Sequence, residues 1–272
     1  MIKSEHAMRR CAWVTDIHLN FVGPSAVEGF CRSIGDLGPD VVLVGGDIGE
    51  APSITTYLQI LEDRLRRPIY FVLGNHDFYR GSLACVRRDV DELARGSRWL
   101  RWLPTAGIIP LTHSTCLIGH DTWADGRFGD YANSDVILND YLRIAELTGL
   151  EQARRLAMLN SLGDEAAAYL RTLLPEALAT CRHVVVLVHV PPFREACWHE
   201  GRISGDDFLP HFSCKAVGEV LVEAMRARPD TRMTVLCGHT HSPGTVQILA
   251  NLVVHTGGAL YGHPEIQKVL VL

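Results

Sequence analysis

The chain has 272 residues, 47% hydrophobic and 21% charged, the composition of a soluble globular protein long enough to bury a sizeable core, which excludes extended disorder. With 26 Lys and Arg against 31 Asp and Glu, the formal charge is −5. No basic field is available to hold a long nucleic acid, so an anionic ligand must be attracted locally. The eight cysteines are scattered with no C-x-x-C pair, and so read as reduced thiols of a cytoplasmic protein rather than a disulfide framework or a cysteine zinc site. Residues 1–10 are polar and charged, unlike a secretory signal, and the longest apolar run, Val184 to Val188, falls far short of a membrane span.

In chain order, Cys11 to Thr15 reads as a short apolar strand that ends in Asp16-Ile17-His18. In an extended segment residues two apart point the same way, so Asp16 and His18 can reach one point in space, as metal ligands must. Pro24 opens a helix through Val27, Phe30, Ile34 and Leu37 that closes near Gly38-Pro39. Val41 to Val44 forms a second apolar strand, ending in Gly45-Gly46-Asp47, where two glycines permit a tight turn and close backbone approach. A helix over 53–66 leads to a third strand, Ile69 to Leu73, which runs directly into Gly74-Asn75-His76-Asp77. Strands apolar throughout and alternating with helices indicate parallel βαβ units.

The middle is less regular. Helices are expected over 83–95 and 161–179, and a strand over 114–118 that runs into the polar, aromatic loop His120 to Arg127. We expect one domain over 1–272 with an insertion-bearing segment at 112–188 and candidate lid loops at 120–135 and 190–212. His183 to Val188 is the clearest parallel-sheet strand; it ends in His189 and is stopped by Pro191-Pro192. A helix over 215–228 and a strand from Met233 to Cys237 then deliver Gly238-His239-Thr240-His241. The last segments, at 245–249, 252–255 and 266–272, are expected to form a meander in a second sheet.

Five strand ends thus present Asp16 with His18, Asp47, Asn75 with His76 and Asp77, His189, and His239 with His241. Imidazoles, carboxylates and an amide oxygen suit borderline divalent metals such as Mn, Fe or Zn. In this order the five blocks resemble the calcineurin-like metallophosphoesterases, from about residue 11 to residue 258. The family pattern is Asp-x-His, Gly-Asp, Gly-Asn-His-Asp, a lone His after a strand, and Gly-His-x-His. The resemblance implies an α/β fold, a two-sheet α/β/β/α sandwich with mixed sheets and flanking helices. It also implies two divalent ions, one held by Asp16, His18, Asp47 and His241, with Asp47 bridging to a second held by Asn75, His189 and His239. His76 would approach the substrate phosphate.

Two divalent ions against only two carboxylate ligands leave about two positive charges uncovered, which acidifies bound water and attracts phosphate. The expected function is a binuclear-metal-dependent phosphoesterase, phosphodiesterase or phosphatase, that hydrolyses a small phosphomonoester or phosphodiester by attack of a metal-bound hydroxide. His76 is the expected catalytic donor, with Asp77 fixing its tautomer and raising its pKa. The competing readings are a scaffold that keeps the fold without catalysis and a nuclease for long DNA. For substrate contacts the sequence offers Arg127 and Arg194 as phosphate forks, and Trp123, Tyr131 or Phe193 as stacking platforms.

Overall fold

A computed structural model describes residues 8–272; the N-terminal residues 1–7, part of the stretch read as no secretory signal, lie outside the described residues. The strands are β1 (Arg10–Val14), β2 (Val41–Val44), β3 (Ile69–Phe71), β4 (Leu100–Trp102), β5 (Ile109–Pro110), β6 (Thr115–His120), β7 (His183–Val188), the small hairpin β8 (Trp198–His199) and β9 (Arg202–Ile203), β10 (Arg232–Cys237), β11 (Gly244–Leu249), β12 (Leu252–Thr256) and β13 (Lys268–Val271). The helices are α1 (Pro24–Asp36), α2 (Ile54–Leu65), α3 (Leu83–Gly96), α4 (Leu103–Ala106), α5 (Asp140–Arg143), α6 (Gln152–Thr180), α7 (Leu209–Phe212) and α8 (Lys215–Arg226).

Besides the β8-β9 hairpin, the described strands form two sheets, ordered β13-β1-β2-β3-β4 and β11-β12-β10-β7-β6-β5. Their inner pairings are parallel, and antiparallel partners close the edges at β13, β11 and β5. Because side chains alternate along a strand, each apolar strand serves two cores. Cys11, Trp13, Val41 and Leu43 meet Leu117, Val185, Leu187 and Leu236 of the opposite sheet between the layers. Ala12, Val14, Val42 and Val44 turn outward onto residues of α1, α2 and α3, such as Ile34, Leu58 and Val90. On the other side Val184, Val186 and Val235 pack against Leu170, Leu174 and Leu221 of α6 and α8. Four layers in the order helix, sheet, sheet, helix follow, as expected.

Two expectations need correction, and one strand had no sequence signal. The closing segments do not form a meander in one sheet, because β12 runs parallel to β10 and β13 joins the first sheet, antiparallel to β1. Alternation identifies a strand but not its neighbour; here Gln267 N donates to Trp13 O across 2.9 Å and seats β13 beside β1. Helix α6 begins at Gln152 rather than 161. Its early turns cover Trp123 and Tyr131 through Leu156 and Leu159. Strand β4 pairs in parallel with β3, although its three residues are too few for a periodic signal. Among the described residues no helix is long and apolar enough to cross a membrane.

Candidate metal centre

Parallel strands end on one side of their sheet, so β1, β2, β3, β7 and β10 carry their following residues to one place. The turns there are strained. Asp16, His18, Asp47, His239 and His241 all have positive φ, at 51°, 42°, 52°, 70° and 59°. Non-glycine residues in this region cost of order 1 kcal/mol each, and persist where surrounding bonds over-determine them. Those bonds cross between loops: Asp16 N donates to Gly46 O (3.0 Å), His18 N to Asp47 O (2.9 Å), and His239 N to Asp16 Oδ1 (2.9 Å).

The donor atoms of Asp16, His18, Asp47 and His241 all lie within 4.8 Å of one another. His18 Nε2 stands 3.2 Å from His241 Nε2 and 3.8 Å from Asp47 Oδ2, and His241 Nε2 stands 3.4 Å from Asp16 Oδ1. Burial pushes the His18 imidazole down to about 3, so the ring is neutral and keeps one nitrogen lone pair for a cation. The two carboxylates are driven apart. Burial raises both, but the hydrogen bond to His241 brings Asp16 below the usual range, whereas the Asp16 and Asp77 charges push Asp47 further up. Two buried carboxylates facing several neutral imidazoles need a cation between them to be ionised together.

A second convergence lies beside the first. His189 Nε2 and His239 Nδ1 each stand 3.0 Å from Asn75 Oδ1, and His189 Nε2 lies 3.5 Å from Asp47 Oδ1. The protons of both rings are committed elsewhere: His189 Nδ1 donates to Gly45 O (2.8 Å) and His239 Nε2 to His211 O (3.0 Å). The amide is oriented likewise, since Asn75 Nδ2 donates to Asp140 Oδ1 (2.8 Å) and Tyr79 Oη (3.1 Å), turning its oxygen inward. Four acceptors thus face one another with no donor among them. This donor set fits a divalent ion of the Mn, Fe or Zn type, and carbonyls holding the far ring nitrogens are the usual support of histidine ligands. Asp47 offers Oδ1 to this group and Oδ2 to the other.

The structure places all seven expected ligands together, with His76 at their edge. His76 N donates to Asp47 Oδ1 (2.9 Å), and its Nε2 lies 3.4 Å from Tyr261 Oη and 4.0 Å from Asp47 Oδ2. Burial, then the neighbouring histidines, push this ring down to about 2. Asp77 does not act on it as expected. Its Oδ1 accepts from Ile48 N and Gly49 N (2.8 Å each) and its Oδ2 from Gly74 N (2.9 Å), so the carboxylate ties the Asp47 turn to the Asn75 turn. Burial raises it to about 7 despite those bonds.

Two glycines matter here. Gly46 has φ +94°, and any Cβ on Gly74 would collide with Asp47 Oδ1 and the His189 ring. The cavity beside the ligands is about 290 Å³ and includes Tyr79, Asp140, His199, Phe212 and Tyr261 in its lining. Of the two candidate lids, 190–212 reaches this cavity through His199 and Phe212, whereas His120 to Asp125 is buried. The substrate contacts drawn from the sequence are committed elsewhere. Arg127 pairs with Asp125 and Asp164, Arg194 pairs with Asp206, and Trp123, Tyr131 and Phe193 are core residues. Sequence reasoning missed Tyr79, Asp140 and Tyr261 as lining residues. Tyr79, four residues beyond Asn75, was the one of these with a positional hint.

A family model described as calcineurin-like phosphoesterase matches residues 9–243. No curated protein matches the sequence. Among solved structures, a phosphopantetheinyl hydrolase from Mycobacterium tuberculosis superposes with TM-score 0.62 at 17% identity, covering 93% of this chain and 91% of its own. A dimetal phosphatase from Danio rerio gives 0.59 at 11% identity over 94% and 89%, and the protein TT1561 of Thermus thermophilus gives 0.56 at 13% over 97% and 98%. These likenesses concern the fold.

Proposed function

Because the chain belongs to the calcineurin-like phosphoesterase family, we propose that it hydrolyses a small phosphate ester, a phosphomonoester or phosphodiester, with two divalent ions held as the geometry suggests. The observation that carries this is the double convergence on Asp47, whose two oxygens face separate sets of lone pairs. Asp16, His18, Asp47 and His241 would hold one ion, and Asp47, Asn75, His189 and His239 the other. When bound, the ions supply positive charge that polarises a phosphoryl oxygen and lowers the pKa of water.

The chain's own groups do the rest. Carbonyls of Gly45 and His211 keep His189 and His239 in one tautomer. Held neutral by burial, His76 acts as a hydrogen-bond donor from Nε2 to a phosphoryl or leaving-group oxygen, not as an imidazolium acid. Its Nδ1 is buried without a partner, and Nε2 is the ring nitrogen that faces Tyr261 Oη and Asp47 Oδ2. We read residues 1–272 as one catalytic domain working in the cytoplasm, where its eight unpaired cysteines remain reduced.

The test is a panel of nucleotides, cyclic nucleotides, sugar phosphates and aryl phosphates offered to protein loaded with Mn, Fe or Zn. Turnover that vanishes with chelation and returns on reloading is expected. Stoichiometric metal uptake with no turnover of any ester would leave the catalytically silent scaffold as the better reading.

A further inference from the structure

Most large hydrophobic side chains lie inside a protein, and those left outside are normally scattered. Here several gather beside the cavity, where Phe21 packs on the lining residue Tyr261 and Phe208 on the lining residue Phe212. Phe21 is 51% exposed and Tyr261 44% exposed, with ring centroids 4.8 Å apart. Tyr261 in turn lies 4.5 Å from the His18 ring and 5.2 Å from His241. On the other ligand set, Phe212 meets His239 edge-on at 5.4 Å and carries beside it His199 (5.1 Å) and Phe208 (5.4 Å), the latter 38% exposed. Each ligand group therefore has its own aromatic flank.

Charge points the same way. No Lys or Arg is among the described residues lining the cavity, while Asp140 is. Arg143, whose guanidinium lies 5.8 Å from the centre of the Tyr79 ring, faces Glu50 at 3.8 Å, and Arg80 pairs with the same carboxylate. Beyond the ions, a second phosphate would find no free cation and one carboxylate. Aromatic carbon is what the flanks offer.

We infer that the ester this site accepts carries an aromatic group, received on the ring flanks of Tyr261 with Phe21 or of Phe212 with Phe208 while the phosphate sits over Asp47. This deepens the phosphoesterase reading and rests on it. In the reaction water adds to phosphorus, the ester P–O bond breaks, and the aromatic-bearing alcohol leaves with the proton. Stacking of a ring on such side chains is worth about tenfold or more in affinity.

The experiment measures equilibrium binding of methylphosphonate and phenylphosphonate to manganese-loaded protein by calorimetry, with no ester to cleave. Phenylphosphonate is expected to bind about tenfold tighter. Tyr261→Ala or Phe208→Ala, according to which flank receives the ring, should shrink that ratio, and Tyr261→Phe should keep it. Equal affinities in the unaltered protein, or a ratio that survives both alanine variants, overturns the inference while leaving the phosphoesterase reading intact. If neither phosphonate nor inorganic phosphate binds the loaded protein, both fail together.

Discussion

Asn75 gives an amide proton to Asp140, Nδ2 to Oδ1 at 2.8 Å, and Tyr79 Oη donates to that same oxygen at 2.6 Å. The carboxylate is buried and belongs to α5, in a segment more than sixty residues from Asn75 in sequence. Its effect is to choose which end of the amide faces His189 and His239. Asp140→Ala should weaken one ion by about 10- to 100-fold, the usual consequence of losing support behind a metal ligand, and leave the other nearly unchanged. Metal titration followed by elemental analysis reads this directly. Equal weakening of both ions would mean that the residue merely holds the fold. Tyr79→Phe should give a smaller effect of the same kind, since Asn75 keeps its bond to Asp140.

His76 touches the ligand cluster without being one of the seven. His76→Ala should lower kcat by roughly 10² to 10³, the scale of a lost hydrogen-bond donor to developing charge, with two ions per chain retained. A variant that loses an ion would show that the ring supports the metal site instead. Because the ring is held neutral, its loss should not move the acid limb of the pH–rate profile.

Gly74 sits where the turns after β2 and β3 touch. Gly74→Ala forces Cβ against Asp47 Oδ1, Asp47 N and the His189 ring, none of which can withdraw without disturbing the convergence. The expected cost is about 2 to 4 kcal/mol of stability, with loss of bound metal. Thermal melts of metal-free and loaded protein separate the two contributions: metal should raise the melting temperature of the parent chain by several degrees and that of the variant far less.

Acid sensitivity can be traced away from the site. His183, at the start of β7, bonds Thr234 Oγ1 at 2.9 Å, and burial, followed by Arg232, pushes it down to about 4. Its unfolded value is near 6.5. The folded state thus binds its proton less readily, and the stability of the neutral ring is fully present above pH 6.5 and lost as pH falls toward 4. His183→Gln should be less stable than the parent at pH 7.5, and the difference should shrink by about 1 to 2 kcal/mol by pH 4.5, the partial exposure of the ring limiting the size. A gap that stays constant with pH would refute the assignment.

The chain by itself determined what local periodicity and local chemistry can encode. Apolar strands such as Val41–Val44 and His183–Val188 dictated burial on both faces, and polar residues directly after them, Asp16, Asp47, Asn75, His189, His239 and His241, dictated where ligands would emerge. A parallel arrangement then has to bring those ends together. What only the tertiary structure decided depends on contacts between distant segments. Asp77 turned out to bind the backbone of Ile48, Gly49 and Gly74 because packing aims its carboxylate at three unpaired N–H groups. Adjacency in sequence had pointed it at His76. The β13 strand found β1, Asp140 found Asn75, and the ring flanks of Tyr261 and Phe212 found the ligand groups, each across a separation that no repeat or motif spans. The physical reason is that an element's period records which of its faces is buried, whereas its partner is set by shape and unsatisfied hydrogen bonds elsewhere in the folded chain.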